Sequence, residues 1–291
     1  MGFSRFRWPV ALMLGALVMP LVTACQLGSE SLSRIVADLA DEAGSEQVGR
    51  IWVERVPDEG LRVTAVFFKD DGTAVEYLKR PQERKPVSLG SSPVPRVLPP
   101  GVPVDQLDLD GLEQRLDEVP DCEDPRGSIF TFADHVAENV RCSYDGKPTG
   151  RLDGTPAPVF AAGDLPAAAN RLHADAEMLS AEQVGRVSIV MTSSEVWTEF
   201  QVIEPALPAS DGKSCALFVT RAGGSFFPQC EVVSTRFPAD ALNPEVIVKI
   251  WKAEGSPTED WRLVLADDDE PTWLAERLKE TTAYTLDGNR T

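Results

Sequence analysis

Apolar positions along this chain keep two rhythms in turn. Leu32, Ile35, Val36 and Leu39 recur at three- and four-residue spacings, which puts them on one face of a helix. Residues 50–56, 61–69 and 74–79 follow, rich in Val, Phe and Tyr, and read as strands joined by turns such as Asp70-Asp71-Gly72. The succession is then written a second time. Ala168, Ala169, Leu172, Ala176 and Leu179 share a helix face, and residues 187–191, 196–203, 215–220 and 226–233 read as strands. Turns are expected at Asp211-Gly212 and Gly223-Gly224.

The two passes share a short identity. Glu46-Gln47-Val48-Gly49-Arg50 recurs as Glu182-Gln183-Val184-Gly185-Arg186, each copy between a helix and a strand. Downstream, Leu109, Leu112, Leu116 and Val119 predict a short helix capped by Asp108. Val246, Ile247, Ile250 and Trp251 predict another, with Asn243 as cap, Pro244 in its first turn and Gly255 at its end. A strand at 130–134 then matches one at 263–267, and Tyr144-Asp145-Gly146 echoes Leu286-Asp287-Gly288. The pattern predicts an α+β fold of two tandem related modules, each a helix followed by an antiparallel sheet with a second short helix. The first module spans 32–148 and includes a proline-rich loop, 81–104, expected to run extended over the surface. A linker is expected at 149–163, and the second module spans 164–291. Tandem modules of this shape resemble, in architecture alone, bacterial periplasmic binding and inhibitor proteins, which does not license a function.

Ahead of these elements the N-terminus has three zones. Arg5 and Arg7 are followed by an uncharged apolar stretch from Trp8 to Leu21 and then by Val22-Thr23-Ala24-Cys25. This is the layout of a secretory signal peptide, with an apolar stretch short of the roughly 20 residues a membrane span needs. The closing tetrapeptide resembles the lipobox of bacterial lipoproteins. The resemblance implies diacylglycerol in thioether linkage to Cys25, cleavage between Ala24 and Cys25, and attachment to the extracytoplasmic face of a membrane. That membrane is expected to be the plasma membrane, or an outer membrane if the host has one. Residues 1–24 are then the signal peptide and 25–31 a lipidated tether. Two acyl chains suffice for stable anchoring, whereas one is marginal.

Charge narrows the partners. The chain carries −18, and losing Arg5 and Arg7 with the leader takes it to −20. Such a surface is expected to repel nucleic acid and anionic lipid headgroups. Five cysteines are present. With Cys25 assigned to lipid, Cys122, Cys142, Cys215 and Cys230 form an even set in an oxidising compartment. Of the three connectivities open to them, local pairing is expected: Cys122 with Cys142, and Cys215 with Cys230. Each pair lies within one half, and Cys215 and Cys230 flank a hairpin.

Candidate chemistry is sparse. His135 and His173 have no histidine partner at helical spacing, and no Gly-x-Ser-x-Gly, Cys-x-x-Cys or phosphate-loop motif occurs. Gln106, Asp108, Asp110, Gly111 and Asp117 imitate part of a calcium loop, but capping by Asp108 accounts for the acids without a metal. The run Asp267-Asp268-Asp269-Glu270 reads as a solvated strand-to-helix turn before Pro271 and Trp273. Trp52, Trp197, Trp251, Trp261 and Trp273 are expected in the core, with an aromatic binding face as the alternative. No catalytic residue, cofactor or metal site is assigned. The expected function is a membrane-anchored binding or protein-interaction module at the cell envelope. The alternatives are an accessory or sensory subunit of a membrane protein and a hydrolase with an unrecognised site.

Overall fold

The computed structural model describes residues 30–93, 101–132, 135–143, 149–179, 182–208, 214–220, 225–231, 236–267, 270–277 and 280–291, the strands between 199 and 231 by their main chain. The fold is α+β, with two antiparallel sheets and four α-helices among the described residues.

Helix α1 (Leu32–Ala43) starts where the Ser31 hydroxyl accepts a hydrogen bond from the Arg34 N–H. It ends at Gly44, whose φ of 63° lies in the left-handed region that glycine tolerates. Strands β1 (Gln47–Val56), β2 (Gly60–Phe68), β3 (Thr73–Lys79) and β4 (Val87–Pro93) form a meander. The short β5 (Val102–Pro103) returns to pair with β1. Helix α2 (Leu109–Asp117) is capped by the Asp108 side chain, which accepts from the Gly111 N–H. It is followed by β6 (Pro125–Phe132), β7 (His135–Cys142), β8 (Thr149–Leu152) and β9 (Thr155–Pro156). The first sheet has nine strands in the order β4-β3-β2-β1-β6-β7-β8-β9, with β5 beside β1.

The second sheet begins with β10 (Phe160–Ala161). Helix α3 (Leu165–Met178) leads to β11 (Gln183–Met191), β12 (Glu195–Pro208), β13 (Ser214–Thr220), β14 (Ser225–Glu231) and β15 (Phe237–Pro238). Helix α4 (Pro244–Ala253) has Asn243 as its cap, accepting from the Glu245 N–H. Strands β16 (Trp261–Asp267), β17 (Pro271–Arg277) and β18 (Glu280–Tyr284) complete the chain. Their order is β14-β13-β12-β11-β16-β17-β18, with β10 on β12 and β15 on β11.

Alternation in the strands sends one set of side chains toward the helices. In the first half Ile51, Val53, Val63, Ala65, Phe67 and Ile129 pack with Ile35 and Leu39 of α1 and with Leu112 and Leu116 of α2. In the second, Ile189, Leu263, Leu265 and Trp273 pack with Leu172 of α3 and Ile250 of α4. Phe130, Ala137 and Leu152, all from the first sheet, join this second cluster. The main chain of β14 also lies against β6, β7 and β8.

Three local expectations need correction. The segment 149–163, expected as a linker, contains β8, β9 and β10, which extend both sheets. Within 81–104, expected as a surface loop, β4 and β5 pair with β3 and β1, and a 3-10 turn begins at Val104. After the acidic run the chain forms strand β17 and not a helix. Trp273 and Ala275 are buried at a spacing of two while their neighbours are not, the period of a half-buried strand. The turns expected at 211–212 and 223–224, with Tyr144-Asp145-Gly146, lie outside the described residues.

Candidate binding groove

The face of the first sheet turned away from α1 and α2 carries the other half of each alternation. Arg50, Trp52 and Glu54 stand on it from β1, and Arg62 and Thr64 from β2. Arg126, Ser128 and Phe130 come from β6, and Asn139 and Arg141 from β7. Most of these residues, with Glu76 of β3 and Leu89 of β4, line a groove with a cavity volume of about 720 Å³.

Aromatic rings and paired charges share the floor. The Trp52 and Phe130 rings meet edge to face at 6.2 Å between centroids. The Arg50 guanidinium sits over the Trp52 ring, 3.2 Å from its centroid. Burial lowers the Arg50 pKa to about 10, against the opposing pull of Glu76. Glu54 joins two cations: Arg62 Nη1 at 3.0 Å and Arg126 Nη2 at 2.6 Å. Arg126 reaches Asp124 as well, at 2.7 Å. This chain of ion pairs holds planar, hydrogen-bonding side chains in fixed positions beside an aromatic surface. Such a site suits reversible binding, where a few placed polar groups orient a ligand over apolar area.

Close backbone packing supports the floor at one end. Gly49 stands where β1 bulges between Val48 and Arg50, and a Cβ there would clash with the rim of the Phe68 ring. The buried Thr131 hydroxyl donates to the carbonyls of Val48 or Gly49, at 3.1 and 3.2 Å.

Of the residues singled out from sequence, only Trp52 belongs to this groove. Cys25 and the whole signal segment lie outside the described residues. Cys122 and Cys142 form a disulfide, with Cα atoms 5.5 Å apart. Cys215 and Cys230 stand directly opposite each other on β13 and β14. His135 pairs through Nδ1 with Asp153 at 2.7 Å, and His173 through Nε2 with Glu177 at 3.4 Å. Burial pushes Asp153 up, but hydrogen bonds from His135 and the Val136 N–H outweigh it and hold its pKa below the usual value.

The calcium-like acids are taken by other partners: Asp108 by Arg115 at 3.2 Å and Asp117 by Arg55 at 2.6 Å. Arg115 also reaches Glu138, whose carboxyl burial pushes up despite that pairing. Trp261 and Trp273 are core residues, and the Trp251 indole N–H donates to the Pro257 carbonyl at 2.8 Å. The Trp197 side chain, Asp268 and Asp269 lie outside the described set. Glu54, Arg62 and Arg126 were not singled out, and Arg50 and Phe130 entered only as members of the repeat and of a predicted strand. The signal that marks them is alternation, as in Arg50-x-Trp52-x-Glu54 and Arg126-x-Ser128-x-Phe130, where polar and aromatic side chains share the outward face.

No protein-family model matches the chain, and no curated protein matches it. Among the described residues no helix is long and apolar enough to cross a membrane.

Proposed function

We propose that this protein is a lipid-anchored binding module of the bacterial cell envelope, held at the membrane by Cys25, with the Trp52–Phe130 groove as its ligand surface. The observation that carries the binding role is the groove itself, with its aromatic floor and the Arg62–Glu54–Arg126–Asp124 chain of ion pairs. The anchor rests on the lipobox-like Val22-Thr23-Ala24-Cys25 behind a charged and then apolar leader.

The two halves are proposed to be related modules. Gln47 and Val48 pair with Pro103 and Val102, and Gln183 and Val184 pair with Pro238 and Phe237. Ile51 faces Ile129 and Val187 faces Leu265, so the spacing of 136 between the repeated motifs persists into β6 and β16. That register replaces the 133-residue match of 130–134 with 263–267.

Two experiments test the proposal. Replacing Cys25 with Ala is expected to leave the precursor uncleaved or to release the protein from the membrane fraction. Normal processing with unchanged retention refutes the anchor. Crosslinking in native membranes then compares the wild-type protein with Trp52→Ala and Arg126→Ala variants of confirmed fold. Recovery of the same adducts from all three refutes the groove as the ligand surface.

A further inference from the structure

The tether leaves the fold beside an unusual corner of the surface. Lys79, almost fully buried, donates to Glu30 at 2.9 Å and so holds the segment just ahead of α1 against the end of β3. Cys25 precedes Glu30 by five residues. At about 3.3–3.6 Å per residue these reach roughly 17 Å. A lipid on Cys25 therefore holds this corner close to the bilayer surface.

The loop between β3 and β4 leaves from Lys79 itself. It carries Arg80, Arg84 and Lys85, all exposed, in a chain whose net charge is −18. Its single acid, Glu83, is paired with Arg80 at 3.0 Å. Arg84 and Lys85 are in no ion pair among the described residues. The strand that follows presents Val87 and Leu89, 41% and 51% exposed, two of the four exposed large apolar side chains among the described residues. Basic side chains next to protruding apolar ones are the composition of a membrane-surface contact.

The Debye length is about 8 Å in physiological salt, so the bilayer acts on the charges nearest to it. Asp58 and Glu59, in the turn between β1 and β2, lie at the same end of the sheet and oppose the attraction of Arg80, Arg84 and Lys85. The short tether and the exposed Val87 and Leu89 favour contact at the basic loop.

We propose that loop 80–86 and the start of β4 form a second membrane contact, seated on the anionic headgroups of the bilayer that holds the Cys25 anchor. It rests on the lipid anchor proposed above, and it sets the orientation of the groove, since Leu89 belongs to both. The test uses the lipidated chain on vesicles of phosphatidylcholine alone or enriched in phosphatidylglycerol. A water-soluble amine reagent labels Lys85, with Lys69 at the opposite end of the β2–β3 hairpin as internal reference. Labelling of Lys85 relative to Lys69 is expected to slow about fivefold or more on the anionic vesicles, the scale of one basic residue at such a surface. Arg84→Glu is expected to remove most of that slowing. Equal labelling on both vesicle types, with the protein floating with both, overturns the contact and leaves the anchor standing. Protein isolated from its own membrane fraction without lipid on Cys25 overturns the anchor and the contact that rests on it.

Discussion

Gly49 is held to its identity by its neighbours. Its place in the repeated Glu-Gln-Val-Gly-Arg segment is visible in sequence, but the reason is not. The Phe68 ring that excludes a side chain there comes from the far end of β2, brought in by strand pairing across a bulge. Gly49→Ala is expected to destabilise the fold by about 1–3 kcal/mol through overpacking, read as a lower denaturant midpoint at unchanged slope. Adding Phe68→Leu should recover part of the loss, and no recovery would point to the backbone instead. Asp153 makes a prediction in acid. Its folded pKa lies below the ordinary 3.8, so its contribution is present above that value and lost as pH falls through the folded pKa. Asp153→Asn should therefore narrow the stability gap to wild type as pH drops below about 4. A gap constant from neutral to acid pH would contradict this.

At the scale of elements, legibility followed burial. Helices α1, α2 and α4 and strands β1 to β3 each bury one face, so their periods and caps stand out in sequence. Strand β7 does not. Ala137 to Val140 are buried in succession because α2 covers one face and the second half of the chain the other, which erases alternation. The groove was hidden for a related reason: its residues come from six strands, and their convergence depends on strand order. Leu112, fully buried between α2 and the sheet, is expected to cost about 2–5 kcal/mol when replaced by Ala, measured by chemical denaturation. The Cys122–Cys142 disulfide closes a loop with a sequence separation of 20 and ties the segment after α2 to the end of β7. Its removal as the double Ser variant should cost on the order of 3 kcal/mol. The register that sets Cys215 opposite Cys230 supports the second bridge proposed from sequence. Non-reducing peptide mapping decides it, and a fragment joining Cys142 to Cys215 would refute both pairings.

For the molecule as a whole, the decisive feature is the core that both halves share. Proline, glycine and alanine between 149 and 163 read as a linker because composition records local stiffness and not strand pairing. Leu152, fully buried in the second cluster although it belongs to the first sheet, is one of the side chains that join them. Leu152→Ala should lower one cooperative calorimetric transition, and two separately moving transitions would show that the halves unfold independently. The same continuity governs how a ligand arrives. Among the described residues the groove floor is continuous with that core through Phe130, with no hinge between them. A ligand of the proposed groove would meet a surface already formed. Association should then run at the ordinary rate of orienting two rigid surfaces, about 10⁵–10⁷ M⁻¹s⁻¹, with groove substitutions changing residence time far more than arrival.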